Sequence, residues 1–517
     1  MSHSAEVLEL YDELGVPRDG AAAAPQGAAG PGHGPRARSF AAVRAAGPVA
    51  AGAPGAAAAP AAAAAAAPAD HADLPALDQE AIEALLQVLQ ERPEETLERA
   101  RAAFDVALTE ETLRAALEQA RQALAAPREA VAHVRARRAL AAAAAPALPA
   151  GFTFKGMDLA AVPIDAHNHK FEEGADFLGW VVNTGRWAFG PPVGKKADFR
   201  WHDDPRLTRD FVYPLRGQGQ ADLDVALFAD FGTGLYHSRY IARQLVTAKY
   251  PYAIHLGDVY YAGREQEFAQ QFRAPLEPLL GSTRLFTMNG NHEMFSLAVP
   301  YFRYIADRRN AHPQLQEQEG SYFCLRGQSA QIIGIDTDYF GYKRFRDASL
   351  LNWLTRQLEH GRANRLTNIV LSGDEPYQYG SPGPTALLEK DLREIVVDRA
   401  LVDLWFWGNT HYCALFDRTA ATPFVGSCIG HGGFPYGRQK PGAASPAPVR
   451  FLETQARFPE WTRVRQDRGN NGYCVLTLEK DGALRLRYVD WMANERCNVT
   501  FVRQPAGTLS LNSVQTF

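Results

Sequence analysis

Four places in this chain set metal-competent side chains at the end of an apolar run. DVALFAD ends at Asp230 and continues into Phe231 and Gly232. YAIHLGD ends at Gly257 and Asp258, with Tyr260 and Tyr261 just beyond. RLFTMNGNHE ends in Gly290, Asn291, His292 and Glu293, and LVDLWFWGNTH ends in Gly408, Asn409, Thr410 and His411. Carboxylate, amide oxygen, phenolate and imidazole are all ligands for hard to borderline metal ions. The neighbouring glycines allow tight turns that bring backbone and ligands close together. One Asp at a strand end means little. Several in order describe a site scattered along the sequence and gathered by the fold. In open α/β sheets, ligands bind beyond the carboxyl ends of the strands, and these residues fall there.

In order and spacing the segments resemble the calcineurin-like metallophosphoesterase superfamily, and within it the purple acid phosphatase-type branch. That pattern runs DxG, GDxxY, GNHE, a later HxP and a final GHxH. Here the corresponding segments are DFG at 230–232, GDVYY at 257–261, GNHE at 290–293, DEP at 374–376 and GNTH at 408–411. The resemblance implies a four-layer α/β/β/α sandwich that hydrolyses phosphoric esters with a metal-activated water. It implies that Asp230, Tyr261 and His411 hold a first metal, that Asp258 bridges two metals and that Asn291 binds the second. His292 would be the catalytic residue that protonates or stabilises the leaving oxygen. A phenolate from Tyr261 implies iron at the first position. The GDxxY spacing selects Tyr261 and leaves Tyr260 to packing.

The last two motifs depart from the pattern. Asp374 stands where the family has the HxP histidine, and Asn409 where it has the first GHxH histidine. Both lost imidazoles belong to the second metal, whereas the first-metal set is complete. Two readings follow. Asp374 and Asn409 can act as substitutes, giving an all-oxygen second position with Asp258 and Asn291 that prefers Mn²⁺ or Mg²⁺ to Zn²⁺. Alternatively the second position is lost. The chain is then a weakened pseudophosphoesterase acting as a binding or scaffold module, or a single-iron enzyme of non-hydrolytic chemistry.

Other histidines are read more plainly. His255, inside the YAIHLGD run, is expected to be a core residue. His431, in CIGHGGFP, is a pocket candidate because its glycines suggest a turn near the site. His237 is expected at the surface, with reach toward the cleft. DAHNH at 165–169 resembles the start of an amidohydrolase motif, but no further ligands for that fold can be placed. His167 and His169 are therefore read as part of a polar loop.

The positioning elements are short apolar runs of strand length bounded by Gly and Asp. Besides those above they include QIIGIDT, NIVLSGD, FVGSCIGHGG, YCVLTLE and LRLRYVDW, with helical stretches such as SRYIARQLVTAKY between some of them. This mixed α/β pattern runs from about Asp222 to Trp491, and DGA at 481–483 reads as a hairpin turn closing a second sheet. The whole phosphoesterase-like domain is assigned to 151–517. Residues 1–73 are largely Ala, Gly and Pro, too poor in buriable surface to offset chain entropy, and are expected to be disordered. Residues 74–150 carry apolar residues at helical spacing, such as Ile82, Leu85, Leu86 and Leu89, and are expected to form helices that could recruit a protein partner.

With 517 residues the chain is too long for one ordinary core. A net charge of −4 gives no global basic field to attract nucleic acid. The expected partner is a phosphorylated small molecule or another phosphoester. No run has the length and apolarity of a membrane span. The five cysteines form no CxxC pair, which argues for buried thiols in a reducing compartment and hence a cytoplasmic protein.

Overall fold

The computed structural model describes residues 195–207, 210–260, 262–457, 466–504 and 509–517, with isolated positions at 114, 153–154 and 157–158. The expected low-complexity segment and, apart from Arg114, the expected helical region lie outside the described residues. So do Tyr261, His167 and His169.

The motif-bearing runs become strands. β1 is Val212–Pro214, β2 Leu223–Phe228, β3 Tyr252–His255 and β4 Arg284–Thr287. β5 is Phe323–Arg326, β6 Ala330–Ile335, β7 Thr367–Ser372 and β8 Leu404–Trp407. β9 is Cys413–Phe416, β10 Val425–Ile429, β11 Val449–Leu452 and β12 Gly472–Leu478. β13 is Leu484–Asp490, β14 Glu495–Arg503 and β15 Leu509–Thr516. The longer helices are α1 (Tyr236–Ala248), α2 (Val299–Ala311) and α3 (Ala348–Ala363).

Besides a two-stranded pair at 153–154 and 157–158, the described residues form two large mixed sheets. The seven-stranded sheet has the order β15-β14-β13-β12-β2-β3-β4, and the eight-stranded sheet β11-β9-β10-β8-β7-β6-β5-β1. β2, β3 and β4 are parallel neighbours, so the loops carrying Asp230, Asp258 and Asn291 emerge side by side from one edge. β6, β7, β8 and β10 are likewise parallel, which aligns the ends bearing Asp374, Asn409 and His431.

Alternation along each strand sorts its side chains into layers. In β2, Val225 and Leu227 enter the core shared with β6 and β7, while Ala226 and Phe228 join an outer core with Ile241 and Leu245 of α1. On the other side Leu350, Trp353, Leu354 and Leu358 of α3 pack into the first core. The arrangement is the expected α/β/β/α sandwich. Asp347 caps α3, its carboxylate accepting from the amides of Ser349 and Leu350.

The 481–483 turn is a hairpin, with Gly482 at φ 90°. Its strands β12 and β13 extend the sheet of β2–β4. β14 and β15 carry that sheet beyond the expected Trp491 limit. Their half-exposed alternation is a weaker sequence signal than a fully apolar run. All five cysteines are free and buried, and burial pushes the Cys324 and Cys428 thiols up to about 12. Among the described residues, no helix is long and apolar enough to cross a membrane.

Candidate metal centre

Asp230, Asp258 and Asn409 share an unusual backbone. Their φ angles are 56°, 73° and 59°, in the left-handed region that side chains seldom adopt. Such strain persists where the surroundings hold it in place. Here the strand-end loops interlock. The Asp230 amide donates to the Gly257 carbonyl (3.0 Å), and the Tyr260 amide to the Gly232 carbonyl (3.1 Å). A Cβ on Gly232 would sit 2.8 Å from the Val259 Cα, which explains the glycine of DFG. Glu293 clamps the next two loops: its carboxylate accepts from the amides of Asp258 (3.1 Å), Val259 (3.0 Å) and Gly290 (2.9 Å). Burial pushes this carboxyl up to about 7 against the pull of those amides. The last residue of GNHE thus holds the site's frame.

Three donor atoms converge at the first position. The Tyr260 hydroxyl donates to Asp230 Oδ1 at 2.6 Å and lies 2.9 Å from His411 Nε2. His411 Nε2 is 3.2 Å from Asp230 Oδ1. All three residues are buried. Donors about 2.1 Å from one ion and at right angles to one another stand about 3 Å apart, so these spacings suit a shared cation. The Asp230 side chain also accepts from the Asn409 amide at 2.9 Å. His411 stacks on Phe434, their ring centroids 4.1 Å apart.

Tyr260 therefore differs from its expected packing role. Motif spacing alone does not give the direction of the Tyr260 side chain. Burial, together with the Asp230 and Asp258 carboxylates, holds the Tyr260 hydroxyl well above its ordinary pKa. A cation in their midst would reverse that influence.

Asp258 is buried beside Asp230, Glu293 and Asp374. Burial first, then repulsion from Asp230 and Glu293, raises its pKa well above the carboxylate range. Its Oδ1 accepts from the His292 amide at 3.3 Å. Its Oδ2 has no hydrogen-bond partner, nor do Asn291 Oδ1 and both oxygens of Asp374. Leaving such atoms buried and unpaired costs about 1–3 kcal/mol each, more for charged groups. Open oxygens on three of the four expected second-position residues suit a hard cation.

Asn409 is anchored through its nitrogen, Nδ2 donating to Glu375 Oε2 at 3.0 Å, and not through the Oδ1 by which an amide binds a metal. The other Glu375 oxygen accepts from Lys343 Nζ at 2.7 Å. Burial opposes the Lys343 charge, but Glu375, Tyr342 and Asp374 outweigh it and hold the ammonium protonated. Among the described residues, no group of three or more His, Cys, Asp or Glu side chains is spaced to hold a metal ion. The first position has two side chains of those types, Asp230 and His411, and draws its third donor from a phenol. The donor set fits a cation there.

The remaining candidates fall around this centre. His292 packs at a tilt beside Tyr260, ring centroids 4.3 Å apart, and is 6% exposed. His431 is buried, and burial lowers its pKa to about 4 against the opposing influence of Asp230. Its loop is zipped onto the first motif by the amides of Gly432 and Phe434, which donate to the carbonyls of Ala229 and Asp230. His255 is in the core as expected, among Phe228, Phe231 and Phe272. His237 is fully buried, contrary to the surface expectation, with Nε2 2.5 Å from the Gly433 carbonyl oxygen. It lies near the start of α1, where the helix turns under the 430–434 loop. Glu293, Lys343, Glu375 and Phe434 were not singled out by the sequence. The motif letters held a signal for Glu293 and Glu375. Lys343 sits in a loop with none.

Residues 223–413 match the model of the calcineurin-like phosphoesterase family. Among solved structures the chain is similar to a purple acid phosphatase from yellow lupin (Lupinus luteus) seeds, at 15% identity and a TM-score of 0.40. That match covers 54% of this chain and 53% of the lupin chain, so it spans about half of that protein's length. The chain is also similar to an anchor protein of the inner membrane complex of Plasmodium, at 14% identity and a TM-score of 0.39, covering 52% of this chain and 85% of that one. No curated protein matches the chain. Residues 223–413, which carry every strand-end motif described above, are a calcineurin-like phosphoesterase domain.

Proposed function

We propose that this chain hydrolyses a phosphoric ester, using a metal ion held by Asp230, Asp258, His411 and a tyrosine of the 260–261 pair. The observation that carries this reading is the buried convergence of Asp230 Oδ1, the Tyr260 hydroxyl and His411 Nε2 within 3.2 Å of one another. When bound, the ion would lower the pKa of a water and neutralise phosphate charge. A phenolate ligand favours iron in this role. The chain's residues do the rest. Asp258 extends the carboxylate set toward Asn291 and Asp374, Glu293 holds the loops in register, and His292 donates a proton to the leaving oxygen. The open oxygens of Asp258, Asn291 and Asp374 suit Mn²⁺ or Mg²⁺ better than Zn²⁺, should a second ion bind.

A second reading has support in Asp374 and Asn409, which stand where the resembled family has two histidines. In that reading the domain binds a phosphorylated partner and turns it over weakly or not at all. The two separate by assay of purified full-length chain with p-nitrophenyl phosphate and its bis ester. Hydrolysis lost in Asp230→Asn and in His411→Ala supports the enzyme. A rate equal to buffer in the metal-loaded wild type supports the binding module.

A further inference from the structure

A groove of about 500 Å³ opens between α1 and the helical residues 265–279. Ala242 and Val246 of α1, with Ala274, Pro275 and Pro278 opposite, give it apolar walls. Arg239 and Arg243, one turn apart on α1, line the same groove and are exposed. Among the described residues no carboxylate pairs with either guanidinium. The acids of the facing segment are engaged elsewhere. Glu265 bonds Arg303 at 2.7 Å and Glu277 bonds Arg273 at 3.1 Å. Glu267 accepts from the amides of Ala262 and Arg264. An apolar furrow edged by unmatched positive charge suits an acidic amphipathic helix laid in on its apolar side.

The chain carries such a sequence outside the described residues. Residues 78–92 read DQEAIEALLQVLQER, with Asp78, Glu80, Glu83 and Glu91 against Arg92 alone. At helical pitch Ile82, Leu85, Leu86 and Leu89 fall on one stripe, with Asp78 at its N-terminal end and Glu83 along its border. The other apolar-periodic stretch, 109–124, balances Glu110, Glu111 and Glu118 against Arg114 and Arg121, and the run at 135–138 is basic. Charge thus selects 78–92 for an arginine-edged groove. The path of the chain agrees. Where the described residues resume at 195, the Ala197 amide donates to the Leu297 carbonyl, and Ala197 and Phe199 pack against the outer core that includes Ile241 and Leu245 of α1. The chain therefore enters on the layer that holds the groove. About a hundred residues lie between 92 and 195, ample to span one face of a domain.

We infer that residues 78–92 dock as an acidic amphipathic helix in the groove between α1 and residues 265–279 of the same chain, their carboxylates meeting Arg239 and Arg243. The apolar stripe supplies the contact with Ala242, Val246 and the two prolines, and the charges set position and direction. The inference is independent of the metal centre.

The test measures how fast a maleimide labels a thiol placed in the groove of the full-length chain. All five native cysteines are buried, so an added surface thiol is the reactive one. Gln270→Cys puts it on the groove wall, and Asn352→Cys, exposed on α3 in the opposite outer layer, is the control. Reversing the groove charge with Arg239→Glu and Arg243→Glu should speed labelling at Gln270→Cys at least about threefold, because two surface ion pairs become two repulsions. Adding Asp78→Arg and Glu83→Arg should restore the slow rate. Labelling at Asn352→Cys should stay constant throughout, which also shows that each variant is folded. The slow rate should not depend on protein concentration. A rate at Gln270→Cys that ignores the charge reversal, or that the swapped acids fail to restore, overturns the inference. Protection that grows with protein concentration also overturns it, since the occupant is then a second copy.

Discussion

Tyr260→Phe is the substitution that probes the first position most sharply. The hydroxyl makes two short contacts, 2.6 Å to Asp230 Oδ1 and 2.9 Å to His411 Nε2. The ring is held separately, by His292 and Phe434 at 4.3 and 4.8 Å between centroids. Phenylalanine should therefore keep the packing and delete only the polar contacts. A hydrogen bond to an ionised group contributes about 1.5–3 kcal/mol, so affinity for the first ion should fall about 10- to 150-fold. Competition against a chelator of known affinity measures that loss. In iron-loaded protein, the visible absorbance of a phenolate–iron bond should disappear in Tyr260→Phe and survive in Tyr261→Phe. The opposite pattern, with the band and affinity intact in Tyr260→Phe and lost in Tyr261→Phe, would refute the assignment.

Three further outcomes follow from the same geometry. His292→Ala should slow turnover about 10²- to 10⁴-fold on alkyl phosphates, whose leaving oxygen needs a proton, and much less on p-nitrophenyl phosphate. A kinetic comparison of the two substrate classes checks this. Glu293→Gln should lower stability by about 1–3 kcal/mol, because a carboxamide cannot accept three backbone amides as the carboxylate does; urea denaturation of metal-free protein reads the change. Burial lowers the His255 pKa to about 3 from 6.5. Between those values the unfolded chain carries a proton that the native one refuses, so native stability should fall as pH drops from 6.5 toward 3, by at most about 5 kcal/mol. His255→Leu should flatten that part of the stability–pH curve.

Much of the sandwich was legible because its central strands are buried on both faces and read as unbroken apolar runs. β2, β3 and β6–β8 each end at or near a Gly, Asp or Asn that the sequence displays openly. β14 and β15 were missed because their solvent-facing residues dilute the signal. The candidate site was legible as residue types and less so as directions. Asp230 Oδ1 and His411 Nε2 lie 3.2 Å apart and the Tyr260 hydroxyl reaches both, a direction that motif spacing does not give. His237 looked like a surface residue because nothing in its own segment reveals the 430–434 loop that covers it. Lys343 left no trace at all. Its bond to Glu375 depends on a loop in which Arg344 grips Asp391, 47 positions further along, and on a glutamate visible only as the middle letter of a departed motif.

The central claim is that Asp230, Asp258, His411 and a neighbouring tyrosine form one cation-binding position. Elemental analysis of full-length protein, purified without chelators and dialysed extensively, tests it most directly. At least one metal ion per chain is expected in the wild type and essentially none in His411→Ala or Asp230→Asn with the fold retained. Equal metal content in all three proteins, zero included, would contradict that claim.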